Sequence, residues 1–129
     1  MDIEQVAEVL KNYAEEEDIK YMLYPMDSSR TQDILENGIE GLDNEDRHGG
    51  LLEAKEAFLN DPSEYITREF GTEPSFDALA ILLKNHRNVR TDVRVDSIPA
   101  HDVIGVVNLK SLEFIANPQS RVPVDEMTM

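Results

Sequence analysis

The segment from Val89 to Val107, VRTDVRVDSIPAHDVIGVV, constrains the fold more than any other part of the chain. Val89, Thr91, Val93 and Val95 alternate with Arg90, Asp92, Arg94 and Asp96. That period of two puts apolar side chains on one face of a strand and charged ones on the other. Pro99 then breaks the pattern, because proline lacks the N–H that a ladder needs and fixes its own φ. Val103-Ile104-Gly105-Val106-Val107 follows as a strand buried on both faces. A half-buried strand, a proline corner and a buried strand demand a sheet, and helical patterns elsewhere make the class α+β.

Ile3, Val6, Leu10 and Tyr13 recur at helical spacing, with Asp2 and Gln5 disposed as a variant capping box. They predict an amphipathic helix over residues 1–18 that covers the core or offers a contact face. Glu15-Glu16-Glu17-Asp18 opposes the helix dipole and predicts an end there. Lys20 to Tyr24 reads as a strand stopped by Pro25. Ser29 and Gln32 form a second capping signature, with Ile34 and Leu35 buried before Asn37-Gly38 ends the helix. Residues 41–50 read as a polar loop. Residues 51–59 favour helix, although the first of them could extend a strand. Asp61-Pro62-Ser63-Glu64 starts another helix, which Gly71 ends. From Phe76 to Leu83 the pattern suits either a helix, by its Ala and Leu content, or a buried strand, by its unbroken apolar run. Leu112, Phe114 and Ile115 extend the sheet or begin a docking segment.

At 129 residues the chain suits one hydrophobic core. The expected architecture is a single α+β domain over residues 1–116. It has a small mixed or antiparallel sheet, the N-terminal amphipathic helix and two or three short helices. Residues 117–129, with two prolines and no period, form an extended tail.

Charge decides more about function than any motif does. Asp and Glu number 27 against 12 Lys and Arg, a formal net charge of −15, and the acids are spread from Asp2 to Glu126. Self-repulsion of that size weakens the compact state, and salt relieves it by screening over about 8 Å at physiological strength. Such a composition resembles proteins of halophilic archaea or their viruses. It argues against direct nucleic-acid binding, which draws its affinity from Lys and Arg, although Arg87, Arg90 and Arg94 form a local exception. Without cysteine, disulfides, thiolate catalysis and Cys-ligated zinc are excluded. His48, His86 and His101 have no partner at ligand spacing, so no metal site is expected. No apolar run approaches the roughly 18 residues of a membrane span, and the N-terminus lacks a basic signal region. The expected setting is the cytoplasm or a virion, with no membrane contact and no export by a signal peptide.

Residues 20–108 resemble the ADP-ribosyltransferase-like fold. The resemblance is carried by Leu23-Tyr24, by Thr31 to Gly38 (TQDILENG), by Gly49-Gly50, by the Ala-containing helix at 53–59 and by Ser97 to Ile104 (SIPAHDVI). It implies an enzyme using NAD, with Tyr24, Arg47, His48 and Glu113 around the nicotinamide nucleotide. The chain departs from that family in carrying Pro25-Met26 after Leu-Tyr and Leu51-Leu52 after the glycine pair.

The leading expectation is a non-catalytic, acidic, salt-adapted protein, structural or accessory and suited to a virion. It needs no cofactor, and its partners are other protein subunits in an oligomer or larger assembly. Ile3, Val6, Leu10 and Tyr13 of the first helix, with Val122 and Val124 of the tail, are the expected contacts. The alternatives are the NAD-using enzyme and an inhibitor whose carboxylates mimic nucleic acid.

Overall fold

Two antiparallel sheets and four α-helices are built from the described residues, which are 2–17, 20–42, 52–53, 56–70, 77–84 and 95–120 of a computed structural model. In chain order the elements are α1 (Ile3–Glu17), β1 (Lys20–Met26), α2 (Thr31–Asn37), β2 (Ile39–Leu42) and β3 (Leu52–Glu53). They continue as α3 (Glu56–Asn60), α4 (Pro62–Phe70), β4 (Ala78–Lys84), β5 (Val95–Ile98), β6 (Val103–Asn108) and β7 (Phe114–Ala116). Short 3-10 turns at Ser28–Arg30 and Ala100–Asp102 lead into α2 and β6. The main sheet has the order β3-β1-β4-β6-β7, while β2 and β5 form a second sheet. This is a small α+β domain, as the sequence predicts.

The strand β4 settles the ambiguous stretch before Leu83. It pairs with β1 from Lys20↔Lys84 to Met26↔Ala78 and, on its other side, with β6. Leu79 and Ile81 enter one core cluster, and Ala78, Ala80 and Leu82 enter the other. A strand covered on both faces needs apolar side chains at every position, so the run is unbroken for a reason unrelated to helix. Pairing on two edges and burial on two faces override the helical preference of Ala and Leu.

Each face of the main sheet has its own cover. Ile3, Val6 and Leu10 of α1, with Phe58 of α3 and Ile66 of α4, pack on Tyr21, Leu23, Leu79, Ile81 and Val107. The Tyr21 hydroxyl donates to Leu10 O at 2.9 Å inside this layer, and burial, with a smaller contribution from Tyr13, pushes its pKa up. Phe58 and Tyr65 meet edge to face at 5.5 Å between ring centroids. On the opposite face Ile34 and Leu35 of α2, Ile39 of β2 and Ile98 of β5 pack on Met22, Tyr24, Met26, Ala80, Leu82 and Val106.

Several local expectations need correction. Pro25 does not stop β1; it sits in register with Leu79, beyond the Met22 and Leu23 positions that pair with β3. There β1 has one described neighbour, the edge position at which a strand tolerates proline. Capping before α2 comes from Asp27, whose carboxylate accepts Ser29 N at 3.0 Å, and not from Ser29. In residues 51–59 the described parts divide into a strand at Leu52–Glu53 and a helix from Glu56. The proline corner joins strands of different sheets, β5 to β2 and β6 to the main sheet. Asp2 caps α1 through Glu4 N at 2.9 Å, and α1 runs to Glu17, through three of the four acids expected to end it. Asp61 caps α4 as expected, accepting Glu64 N at 3.2 Å. Gly38, at φ 76°, closes α2 by donating its N–H to Ile34 O at 2.9 Å. Of the loop expected at 41–50, Gly41 and Leu42 belong instead to β2, and its residues 43–50 lie outside the described residues, as do Gly71 and residues 89–94.

Candidate functional site

Among the described residues, the short helix α2 leaves part of its sheet face uncovered toward β7. A cleft of about 370 Å³ opens there, floored by Ala78 of β4, Val106 and Asn108 of β6 and Ile115 of β7. Its wall is formed by Ser28, Ser29, Thr31 and Gln32. None of these side chains is ionisable, in a chain of net charge −15.

The wall is held by local capping and one long-range tie. Thr31 Oγ1 donates to Ser28 O at 2.7 Å, closing the turn that Asp27 caps. Ser28 N and Ser28 Oγ donate to the two carboxylate oxygens of Asp77, each at 2.6 Å. Asp77 O in turn accepts Leu109 N at 3.0 Å, so one residue fastens the wall, the start of β4 and the turn after β6. The hydrogen bonds from Ser28 hold the Asp77 carboxyl below the ordinary carboxylate range. Such a carboxylate is a poor proton acceptor, so it anchors Ser28 and does not activate its hydroxyl.

That tie gives a pH prediction. A carboxyl whose folded pKa is depressed stabilises the fold above its unfolded value and loses the contribution as pH falls through the folded pKa. Asp77→Asn is therefore expected to melt below the parent at pH 7, with the gap closing as pH falls below about 4. Thermal melts of both proteins between pH 7 and pH 3 check this, and a gap constant with pH would remove Asp77 ionisation as the cause.

The floor is set by the hairpin from β6 to β7. Asn108 Oδ1 accepts Lys110 N at 2.8 Å and Ser111 N at 3.0 Å, and Leu112 takes φ 63° to complete the turn. This register places Ile115 opposite Val106 on the α2 side of the sheet. Ile115 is 53 % exposed and is the one large apolar side chain that stands out among the described residues.

The residues expected from sequence do not meet here. Ile3, Val6 and Leu10 are fully buried in the chain's own core and Tyr13 packs partly against it, so these four are corrected from partner contacts to packing residues. Val122 and Val124 lie outside the described residues, as do Arg47 and His48. Tyr24 is buried in β1, and its hydroxyl accepts a long hydrogen bond from Arg30 Nη1 at 3.4 Å. Glu113 is exposed beside β7, where it bridges to Asp2. Two strands, β4 and β6, separate β1 from β7. At about 4.8 Å per strand spacing that is roughly 14 Å, so Tyr24 and Glu113 do not form one site. Among the described residues no three His, Asp or Glu side chains cluster as metal ligands, and no helix is long and apolar enough to cross a membrane.

Of the cleft residues, Ile115 is one whose sequence pattern points to an extension of the sheet or the start of a docking segment. The tie between Ser28 and Asp77 joins residues 49 positions apart that carry no joint signal in the sequence. Comparison with protein-family models, curated proteins and solved structures gave no match.

Proposed function

We propose that the chain is a non-catalytic, acidic, salt-adapted protein, structural or accessory and suited to a virion, that works by contact with other protein subunits. The observation that carries this reading is a cleft whose described lining residues are all uncharged, with an exposed isoleucine at its rim, on a chain of net charge −15. Charge repels other copies and acidic partners over most of such a surface, and a strip of uncharged side chains is where contact costs least. The alternative of an NAD-using transferase has weaker support, because two of its four candidate residues, Tyr24 and Glu113, stand on separate parts of the sheet. The nucleic-acid mimic lacks a described feature of its own beyond the overall charge.

Light scattering and thermal melts in about 0.1 M and 2 M salt test the reading, since the Debye length falls to about 3 Å or less by the upper end. The expected result is a mass above the monomer in high salt, a higher melting temperature there, and no shift on adding NAD. A monomer at both salts that NAD stabilises would replace this function with the enzyme.

A further inference from the structure

We infer that Asn37-Gly38 is a site of spontaneous covalent change, at which asparagine becomes aspartate or isoaspartate, and that the last turn of α2 is the gate that sets its rate. The inference does not depend on the assembly reading above.

The chemistry lies in the sequence. Asn37 is the one asparagine of the chain that precedes a glycine. When the Gly38 amide loses its proton, its nitrogen attacks Cγ of Asn37, and a residue without Cβ leaves that approach open. Collapse of the adduct expels ammonia and closes a five-membered imide from Cγ, Cβ, Cα and C of Asn37 with N of Gly38. A water molecule then opens the ring at either carbonyl, so asparagine and water become acid and ammonia. Opening at Cγ restores the main chain with an aspartate. Opening at the main-chain carbon leaves isoaspartate, with the chain rerouted through the side chain.

The fold exposes the side chain and restrains both reacting groups. Asn37 is exposed, and a polar hollow of about 220 Å³ lined by Arg30, Asp33, Asn37 and Gly38 opens to solvent beside it. Asn37 Nδ2 donates to Asp33 Oδ1 at 2.9 Å, one turn back along α2, which draws the side chain away from the residue that follows. Gly38 N donates to Ile34 O at 2.9 Å, so the nucleophile is turned into the helix. A third tie comes from outside α2, where Gln119 Nε2 donates to Leu35 O at 3.0 Å and to Glu36 O at 3.3 Å. Carbonyls of a last turn have no partner within their own helix, so Gln119 holds this end closed. Imide closure therefore requires the turn to open, and helix ends open at low cost.

The products burden the fold. An aspartate at position 37 sets a carboxylate against Asp33, at the negative end of the helix dipole. Isoaspartate lengthens the main chain by one atom immediately before Gly38, where there is no slack. A Cβ on Gly38 would overlap Ile98 O and stand 2.7 Å from Ala100 N. The next residue pairs as Ile39↔Ile98 between the strands of the small sheet, and both isoleucines are buried. Conversion thus places a charge and a backbone fault in the connection from α2 to β2.

The test is peptide mass spectrometry of the full chain aged in mildly alkaline buffer, folded or unfolded in guanidinium chloride. Trypsin releases residues 31–47 as one peptide, and fragmentation assigns the change to Asn37. Four variants accompany the parent: Asp33→Ala, Asp33→Asn, Gln119→Ala and Asn37→Gln. The folded parent is expected to convert at least about tenfold more slowly than the unfolded chain, a modest opening cost on the scale from frayed ends to global unfolding. Asp33→Ala is expected to raise the folded rate about twofold, as for one side-chain pair on a helix surface. Asp33→Asn, which keeps an acceptor oxygen, should match the parent. Gln119→Ala is expected to raise the folded rate about two- to tenfold, the range that a net hydrogen bond sets. Asn37→Gln, which would have to close a larger ring, should give no product at this position. Equal rates in the folded and unfolded parent would overturn the gate, as would folded rates that Asp33→Ala and Gln119→Ala leave unchanged. An unfolded chain that keeps its Asn37 amide throughout would overturn the site itself.

Discussion

Gly105→Val is expected to lower the stability of the fold by about 3 kcal/mol, the upper part of the range for overpacking a core. Gly105 lies in β6 opposite Ala116, two rungs from the pair Val107↔Phe114. The Phe114 ring lies over it: a Cβ at this position would overlap Phe114 Cζ and stand 2.5 Å from Ile115 O. The ring can turn away in part, but the backbone oxygen belongs to the β6–β7 ladder and moves only with the strand. Glycine is required here by the close approach, since its φ is not in the left-handed region. Phe114 is 3 % exposed and belongs to the α1 layer, so displacing it also opens the core. Gly105→Ala, measured alone and with Phe114→Leu in a urea double-mutant cycle, separates the two contributions. The double variant should lose less than the sum of the singles, because the smaller side chain vacates the contested space. Additive losses would mean that the backbone clash acts alone.

Much of the framework was legible because it depends on short-range pattern. Val103 to Val107 announced a buried strand, and Asp61-Pro62 announced a helix start whose cap is present at 3.2 Å. Asn37-Gly38 announced the end of α2, where Gly38 takes the positive φ of 76° that the closure needs. The apolar run from Ala78 was ambiguous because a strand buried on both faces loses the alternation that identifies strands. Pro25 misled because what a strand tolerates at proline depends on which neighbour is present, and β3 pairs at Met22 and Leu23 alone.

The cleft was less legible, for a related reason. It exists because α2 is short and because the β6–β7 hairpin brings Ile115 beside Val106, and neither fact has a local signature. The amphipathic pattern of α1 was clear, yet pattern alone does not say whether an apolar stripe covers its own core or a partner. Burial of Ile3, Val6 and Leu10 shows that it covers its own. Expectation therefore moves from a conspicuous helix to an inconspicuous isoleucine.

Asn117→Ala is expected to cost about 1–3 kcal/mol, the range for a buried group that loses its hydrogen-bond partner, with Val103 O losing the Asn117 donor while Ala100 O keeps the one it has from Val103 N. The Asn117 side chain is buried, and its Nδ2 donates to Ala100 O at 2.8 Å and to Val103 O at 2.9 Å. Its Oδ1 accepts Gln119 N at 3.1 Å, and its backbone N donates to Ile104 O at 3.0 Å. One side chain thus clamps the 3-10 turn at Ala100–Asp102, through which the chain passes from the small sheet to the main one. The same clamp fixes the beginning of the expected tail, since Gln119 Nε2 reaches Leu35 O at 3.0 Å. Asn117→Asp is the sharper test. It is nearly isosteric, but an ionised carboxylate cannot donate and would face two carbonyl oxygens, a repulsion that burial strengthens. Its carboxyl pKa must rise, so the variant's deficit relative to the parent should be largest near neutral pH and shrink toward pH 4, where the protonated acid donates one of the two bonds. Urea unfolding at both pH values reads this directly, and amide exchange should show β5 and the start of β6 opening first in the alanine variant. A deficit in Asn117→Asp that is independent of pH would mean that shape, and not the donated hydrogen bonds, is what the corner requires of this residue.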